Sequence, residues 1–244
     1  NIDPMLIEEK ITPRTKAIVP VHFTGAVCRM DLVQEIAFRH GLLVIEDAAQ
    51  AFGSKLFGRP AGSFGQLGCF SMNPMKILNA WGEAGVVVTD ERDIYDKLRS
   101  LRYGGTVDKE DCHFPSINGR IDTIQAAMLL VSLKYVQNKI DRRREIAERY
   151  NSELSHLVQT PNPPKDNYHT YYSYTIITPH RDELKNHLEA NGIETKIQHP
   201  ILMPFHTAYK KEPVVSLPVA ERLVKNILCL PNHEALADFD QSYI

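Results

Sequence analysis

Leu42-Leu43-Val44-Ile45-Glu46-Asp47-Ala48-Ala49-Gln50 is the stretch on which the fold turns. Its four leading apolar residues are uninterrupted, which suits a parallel strand buried on both faces. Upstream, Ala17-Ile18-Val19-Pro20-Val21 reads as a second short buried strand. Between the two, Met30 to His40 places Leu32, Val33, Ile36 and Ala37 on one helical face, with Gly41 just past its end. Strand, helix, strand at this spacing predicts an α/β sheet. Downstream, Gly68 to Ser71 and Val86 to Thr89 are further strand candidates. Arg92 to Tyr103 is a helix candidate ended by Gly104-Gly105.

The character changes after about Arg120. Ile121 to about Leu157 keeps helical periodicity without Gly or Pro and predicts one long helix or two joined ones. Asp141-Arg142-Arg143-Arg144-Glu145 within it reads as a solvated face. Thr160 to Asn167 is a Pro-rich loop. Tyr171 to Thr178 alternates as a strand does, Arg181 to Asn191 is an amphipathic helix closed by Gly192, Thr195 to His199 is a short strand, and Val219 to Leu228 is a helix. The expected division is therefore a large domain over 1–135, followed by a long helix and a smaller α/β domain over 136–244.

Composition narrows the function. The 244 residues carry 28 Lys+Arg against 30 Asp+Glu, a net charge of −2, so no basic field recommends nucleic acid as a partner. No apolar run approaches the roughly 18 residues of a membrane span. Cys28, Cys69, Cys112 and Cys229 are far apart, with no CxxC pair, and the ten histidines form no HExxH. That spacing argues against a disulfide framework and a metal site, and it fits a reducing, cytoplasmic setting.

The chemistry is concentrated in two segments. Glu46-Asp47 ends an apolar strand, and in open α/β sheets ligands bind beyond the carboxyl ends of the strands. Successive side chains point to opposite faces, so one of the two acids should face the crevice. A helix cap or a partner for an arginine is the plainer role for an acid there. In Gly65-Gln66-Leu67-Gly68-Cys69-Phe70-Ser71-Met72-Asn73-Pro74-Met75-Lys76, a strand ending near Ser71 is followed by a loop that delivers Lys76. Met72, Met75, Ile77 and Leu78 flank this lysine, and desolvation makes an amine available as a nucleophile. A carboxylate at one strand end and a lysine shortly beyond another match the needs of pyridoxal phosphate, which uses a lysine Schiff base and an acidic partner for its ring nitrogen.

With these residues in view, the chain resembles the DegT/DnrJ/StrS-type family of pyridoxal-phosphate sugar aminotransferases, of fold type I. The resemblance rests on Thr15-Lys16-Ala17-Ile18-Val19-Pro20-Val21-His22, Ile45-Glu46-Asp47-Ala48-Ala49-Gln50-Ala51, Phe70-Ser71 leading to Lys76, Gly82-Glu83-Ala84-Gly85, and Asn118-Gly119-Arg120 followed by Gln125-Ala126-Ala127. It implies a three-layer large domain on a mainly parallel sheet and a smaller C-terminal α/β domain. Lys76 would hold the cofactor covalently, Asp47 would keep its ring nitrogen protonated, Gln50 would lie against the ring near the phenolic oxygen, and Ser71 would bond the phosphate. Asn118 would reach the phosphate from the other subunit of a homodimer. The implied reaction moves an amino group from an amino acid, glutamate for example, to a nucleotide-linked keto sugar in amino-sugar biosynthesis, with pyridoxamine phosphate left by the first half-reaction.

Three departures and three rivals accompany the resemblance. Ala84 stands where the family has glycine, and Ala tolerates positive φ poorly, so the turn is expected to differ. Family members run longer, so the phosphate-binding turn and the ring-stacking aromatic are expected before Asn1. Ile244 stops slightly early for the family. A family dehydratase would carry histidine in place of Lys76, a non-catalytic regulator could keep the cofactor without turnover, and a Rossmann dehydrogenase would need a GxGxxG that is absent. His22, Trp81, Arg120, His206 and Tyr209 are weaker candidates, for each of which packing or a structural bond is at least as good a reading.

Overall fold

The structure is a computed structural model, and it describes residues 1–211 and 215–244. The chain forms two compact units. The first comprises 1–140 and 163–172, the second 141–162 and 173–244.

In chain order the first unit contains β1 (Ala17–Ile18), α1 (Met30–His40), β2 (Leu43–Asp47), β3 (Lys55–Leu56), β4 (Arg59–Pro60), β5 (Leu67–Ser71), β6 (Gly85–Val88), α2 (Arg92–Arg102), β7 (Thr106–Val107), β8 (Asp111–Cys112) and α3 (Thr123–Leu133). Helix α4 (Val136–Leu154) begins in this unit, and β9 (Asn167–Tyr168) returns to it. The main sheet runs β1-β2-β5-β6. Its first three strands are parallel, and β6 is an antiparallel edge. β3 is paired antiparallel with both β4 and β9.

α1 buries Met30, Val33, Ile36 and Ala37 in one cluster with Ile18 and Val44. Removing each of the three larger side chains, Met30, Val33 and Ile36, from water contributes roughly 1.5–3 kcal/mol. The helix stops at Gly41, whose φ of 61° lets its N–H reach back to the Ala37 and Phe38 carbonyls. β2 is parallel as its apolar run predicts, but it is not buried on both faces. Val44 and Glu46 are buried, whereas Leu43 is half exposed. Only the Val44 side meets the α1 cluster.

The predicted helical stretch after Arg120 resolves into α3 and α4, broken between Leu133 and Val136. In the second unit, α4 packs Tyr150 on Tyr174 with ring centroids 4.9 Å apart. The unit continues with β10 (Tyr174–Ile177), α5 (Arg181–Ala190), α6 (Pro218–Asn226), β11 (Ile227–Leu230) and α7 (Asp238–Tyr243). Two expectations fail here. The helix from Val219 ends at Asn226, and Ile227-Leu228-Cys229-Leu230 is a fully buried strand paired antiparallel with β10. Thr195 to His199 contributes only a single bridge, Lys196 to Cys229. The arginine run is also more than a solvated face. Buried Arg143 donates to the Asn232 carbonyl and to Glu234, and Arg142 donates to Asp238. No described helix is long and apolar enough to cross a membrane.

Candidate active site

The two acids that end β2 part company. Glu46 is fully buried. Its Oε2 accepts the His22 ring Nε2–H at 2.8 Å and the Gly62 N–H at 2.8 Å; its Oε1 accepts the N–H groups of Phe64 at 2.6 Å and Gly65 at 2.7 Å. The Cys28 N–H donates to His22 Nδ1 at 3.2 Å, so the ring proton lies on Nε2 and points at the carboxylate. Burial pushes the Glu46 carboxyl up, but the bonds from His22 and from the Gly65 and Gly62 amides outweigh it. The group sits below its ordinary value of 4.5. His22 is thereby a structural partner of Glu46, fully buried itself.

Asp47 lies on the opposite face and is half buried. Its backbone is fixed from the segment after β1, donating its N–H to the Pro20 carbonyl and accepting from the His22 N–H. Its Oδ1 accepts the Ala49 N–H at 3.0 Å, a local turn bond that leaves Oδ2 without a partner among the described residues. Asp47 is in register with Cys69 on β5, and Ser71 closes β5 two residues further on. Because β2 and β5 are parallel, both residues sit at the same end of the sheet.

Lys76 lies on the loop from β5 to β6. That loop is held by the Met72 N–H on the Ala84 carbonyl, the Ala80 N–H on the Met72 carbonyl, and Asn73 Nδ2 on Glu83 at 2.6 Å. Lys76 is half buried, with its Nζ 4.5 Å from the centroid of the Tyr172 ring. Gln50 follows β2 and accepts the Thr24 N–H on Oε1 at 2.7 Å, so its NH₂ end is the one turned to other partners. Thr24 holds a φ of 60°, a left-handed conformation that the bond to Gln50 stabilises. Ala84 is not among the positive-φ residues, so alanine costs nothing at that turn and the expected distortion is absent. Gln125 accepts the Trp81 N–H at 2.8 Å and ties α3 to the start of the same turn.

Asp47, Gln50, Ser71 and Lys76 thus belong to one end of the sheet in the first unit. Asn118 does not join them within this chain. It is exposed, bridged to Tyr103, and accepts Arg120 Nε at 2.9 Å, while the Arg120 guanidinium stacks 4.1 Å from the Tyr103 ring. Trp81, His206 and Tyr209 are exposed. Two residues with clear roles were missed as such in the sequence: Tyr172, read only as part of a strand, and Glu46, read as the alternative to Asp47. As a donor set, one carboxylate, one hydroxyl, one amide and one amine at parallel strand ends fit pyridoxal phosphate. The cofactor's cationic ring nitrogen, phosphate, phenolic oxygen and aldehyde require those four types.

A family model described as the DegT/DnrJ/EryC1/StrS aminotransferase family matches residues 1–244. A pleiotropic regulatory protein of Geobacillus stearothermophilus is 38% identical over 253 residues, covering 100% of this chain and 67% of that protein. A dTDP-3-amino-3,4,6-trideoxy-alpha-D-glucose transaminase of Streptomyces venezuelae is 38% identical, covering 95% of this chain and 62% of the relative. The crystal structure of S. venezuelae DesV in complex with a ketimine intermediate superposes with a TM-score of 0.96 at 37% identity, covering 99% of this chain and 66% of that one. The fold is accordingly that of the fold-type-I sugar aminotransferases. The chain spans about two thirds of the length of these relatives.

Proposed function

This chain belongs to the DegT/DnrJ/EryC1/StrS aminotransferase family, and we propose that it serves a pyridoxal-phosphate aminotransferase acting on a nucleotide-linked keto sugar. The observation that carries the reading is that Asp47 and Ser71 end adjacent parallel strands, with Lys76 on the loop that follows. Bound there, the cofactor would supply an aldehyde for the amino group and a ring that accepts electrons.

The chain's own residues divide the remaining work. Asp47 Oδ2 holds the proton on the ring nitrogen, where an anionic partner favours the charged form. The Ser71 hydroxyl donates to the phosphate. The Gln50 NH₂ donates toward the phenolic oxygen, its other end held by Thr24. Lys76 would hold the cofactor covalently, and its free amine would carry the proton from the donor's α-carbon, help worth roughly 10²–10⁴-fold. Residues 1–135 would carry this machinery and 136–244 the smaller domain. Asn118, whose side chain bonds only Arg120 among the described residues, would serve the site of a second subunit in a cytoplasmic homodimer.

A second reading, cofactor retention without turnover, is favoured by the name of the regulatory relative. One experiment separates them. The purified protein should show a visible absorbance band that an amino donor discharges, with amino transfer to a nucleotide-linked keto sugar. Lys76→Ala should lose both the covalent adduct and the transfer. Undiminished transfer by Lys76→Ala removes the assignment, and a band that no donor discharges favours the regulator.

A further inference from the structure

Glu46 is a charged group in the interior that the proposed chemistry never touches. Its four donors come from two separate places: His22 beside β1, and Gly62 together with Phe64 and Gly65 on the turn that leads into β5. That turn lies unusually close to the sheet. A Cβ on Gly65 would collide with the Val44 carbonyl, and one on Gly68 would collide with the Gly62 backbone. Gly62 also holds a φ of 83°. The glycines allow the approach, and the carboxylate fixes it. The neighbour of Glu46 is Asp47, and the strand reached from the turn ends at Ser71. One buried anion therefore joins β2 to the turn that leads into β5.

We propose that Glu46 is a positioning residue: its buried carboxylate sets the separation between Asp47 and Ser71, and so lets a phosphorylated pyridine engage both ends at once. This rests on the reading of Asp47 and Ser71 under Proposed function. Two contacts made by one ligand strengthen each other only when their spacing matches the ligand. Misplacement by about 1 Å is enough to lose most of that gain. Glu46→Gln keeps the shape but turns an NH₂ toward backbone N–H groups that need an acceptor. The loss should therefore fall on the coupling between the two ends rather than on either contact alone.

The test measures binding of pyridoxal phosphate and of pyridoxal, which lacks the phosphate, to the purified cofactor-free protein. The affinity ratio of the two ligands reports the coupling, and circular dichroism confirms folding. Ser71→Ala serves as the reference for the underlying reading and should lower the ratio by about tenfold. Glu46→Gln should lower it by at least about tenfold as well, while leaving pyridoxal binding within about threefold. If Glu46→Gln does not fold, His22→Gln, which keeps the carboxylate and weakens one donor, should lower the ratio by about threefold. A ratio unchanged in a folded Glu46 or His22 variant, while Ser71→Ala changes it, overturns the positioning role. A ratio unchanged in Ser71→Ala overturns the reading of the site, and the positioning role with it.

Discussion

The Lys76 ammonium lies 4.5 Å from the centre of the Tyr172 ring, on a segment that returns to the first unit 96 positions later in the chain. A cation over an aromatic face gains about 0.5–1 kcal/mol when exposed and about 2 when desolvated. The ring thus offers the amine a resting place while it is charged. Tyr172→Leu should make Lys76 label about threefold or more faster with an acylating reagent at neutral pH in the cofactor-free protein. Tyr172→Phe, which keeps the ring face, should stay near wild type. Mass spectrometry of the labelled peptide decides, and equal rates in all three proteins would show that the ring is a bystander.

Asp47→Asn should leave the fold intact, because the turn bond from the Ala49 N–H can pass to the amide oxygen. The variant no longer offers an anion to the ring nitrogen. Losing one preorganised electrostatic contact of this kind costs about 10²–10³-fold in kcat. Single-turnover kinetics with an amino donor measures this, and a kcat equal to wild type would disprove the role.

Glu46 makes stability depend on pH in a defined direction. Its folded carboxyl titrates below the ordinary 4.5, so the unfolded chain takes up the proton first as pH falls. The stabilisation is complete above about 4.5 and is lost as the pH drops through the lower folded value. A buried donor left without its acceptor typically costs about 1–3 kcal/mol. The Tm of wild type should therefore exceed that of Glu46→Gln at pH 7, and the gap should close in acid. A gap that is constant from pH 7 to pH 3 would contradict it.

Asn118 offers a test of assembly. Lys76→Ala subunits and Asn118→Asp subunits should each be inactive alone, the second because a carboxylate repels phosphate. Mixed after dissociation, they should regain one working site per heterodimer. Heterodimers that form without regaining activity would place Asn118 outside the site, with a structural role beside Tyr103 and Arg120.

The parts of the site legible in the sequence were those written locally. Asp47 and Gln50 sit three residues apart, and Ser71 and Lys76 five apart, within short motifs. The strand pattern supplied the end of the sheet on which they lie. What stayed hidden depends on distant partners. Glu46 finds its donors 16 to 24 residues away, so no spacing distinguishes it from Asp47 as the crevice acid. Tyr172 could not be joined to Lys76 without the path of the chain between them. β11 was misread because Val219, Ala220, Leu223, Val224, Ile227 and Leu228 keep a helical period across the junction. Burial of all four residues of Ile227–Leu230 against β10 overrode that period.

The return of residues 163–172 to the first unit has a consequence for how the protein is made and divided. On the ribosome, the first unit is incomplete when residue 140 emerges. β3 lacks its partner β9, and the buried Ser54 hydroxyl lacks Thr170, 2.8 Å away in the finished fold. It closes only after a length of chain destined for the other unit has passed. For the same reason no single cut yields both units whole, because any severed half keeps or loses the 163–172 strap. Separating them by expression would require grafting that strap back by a new connection.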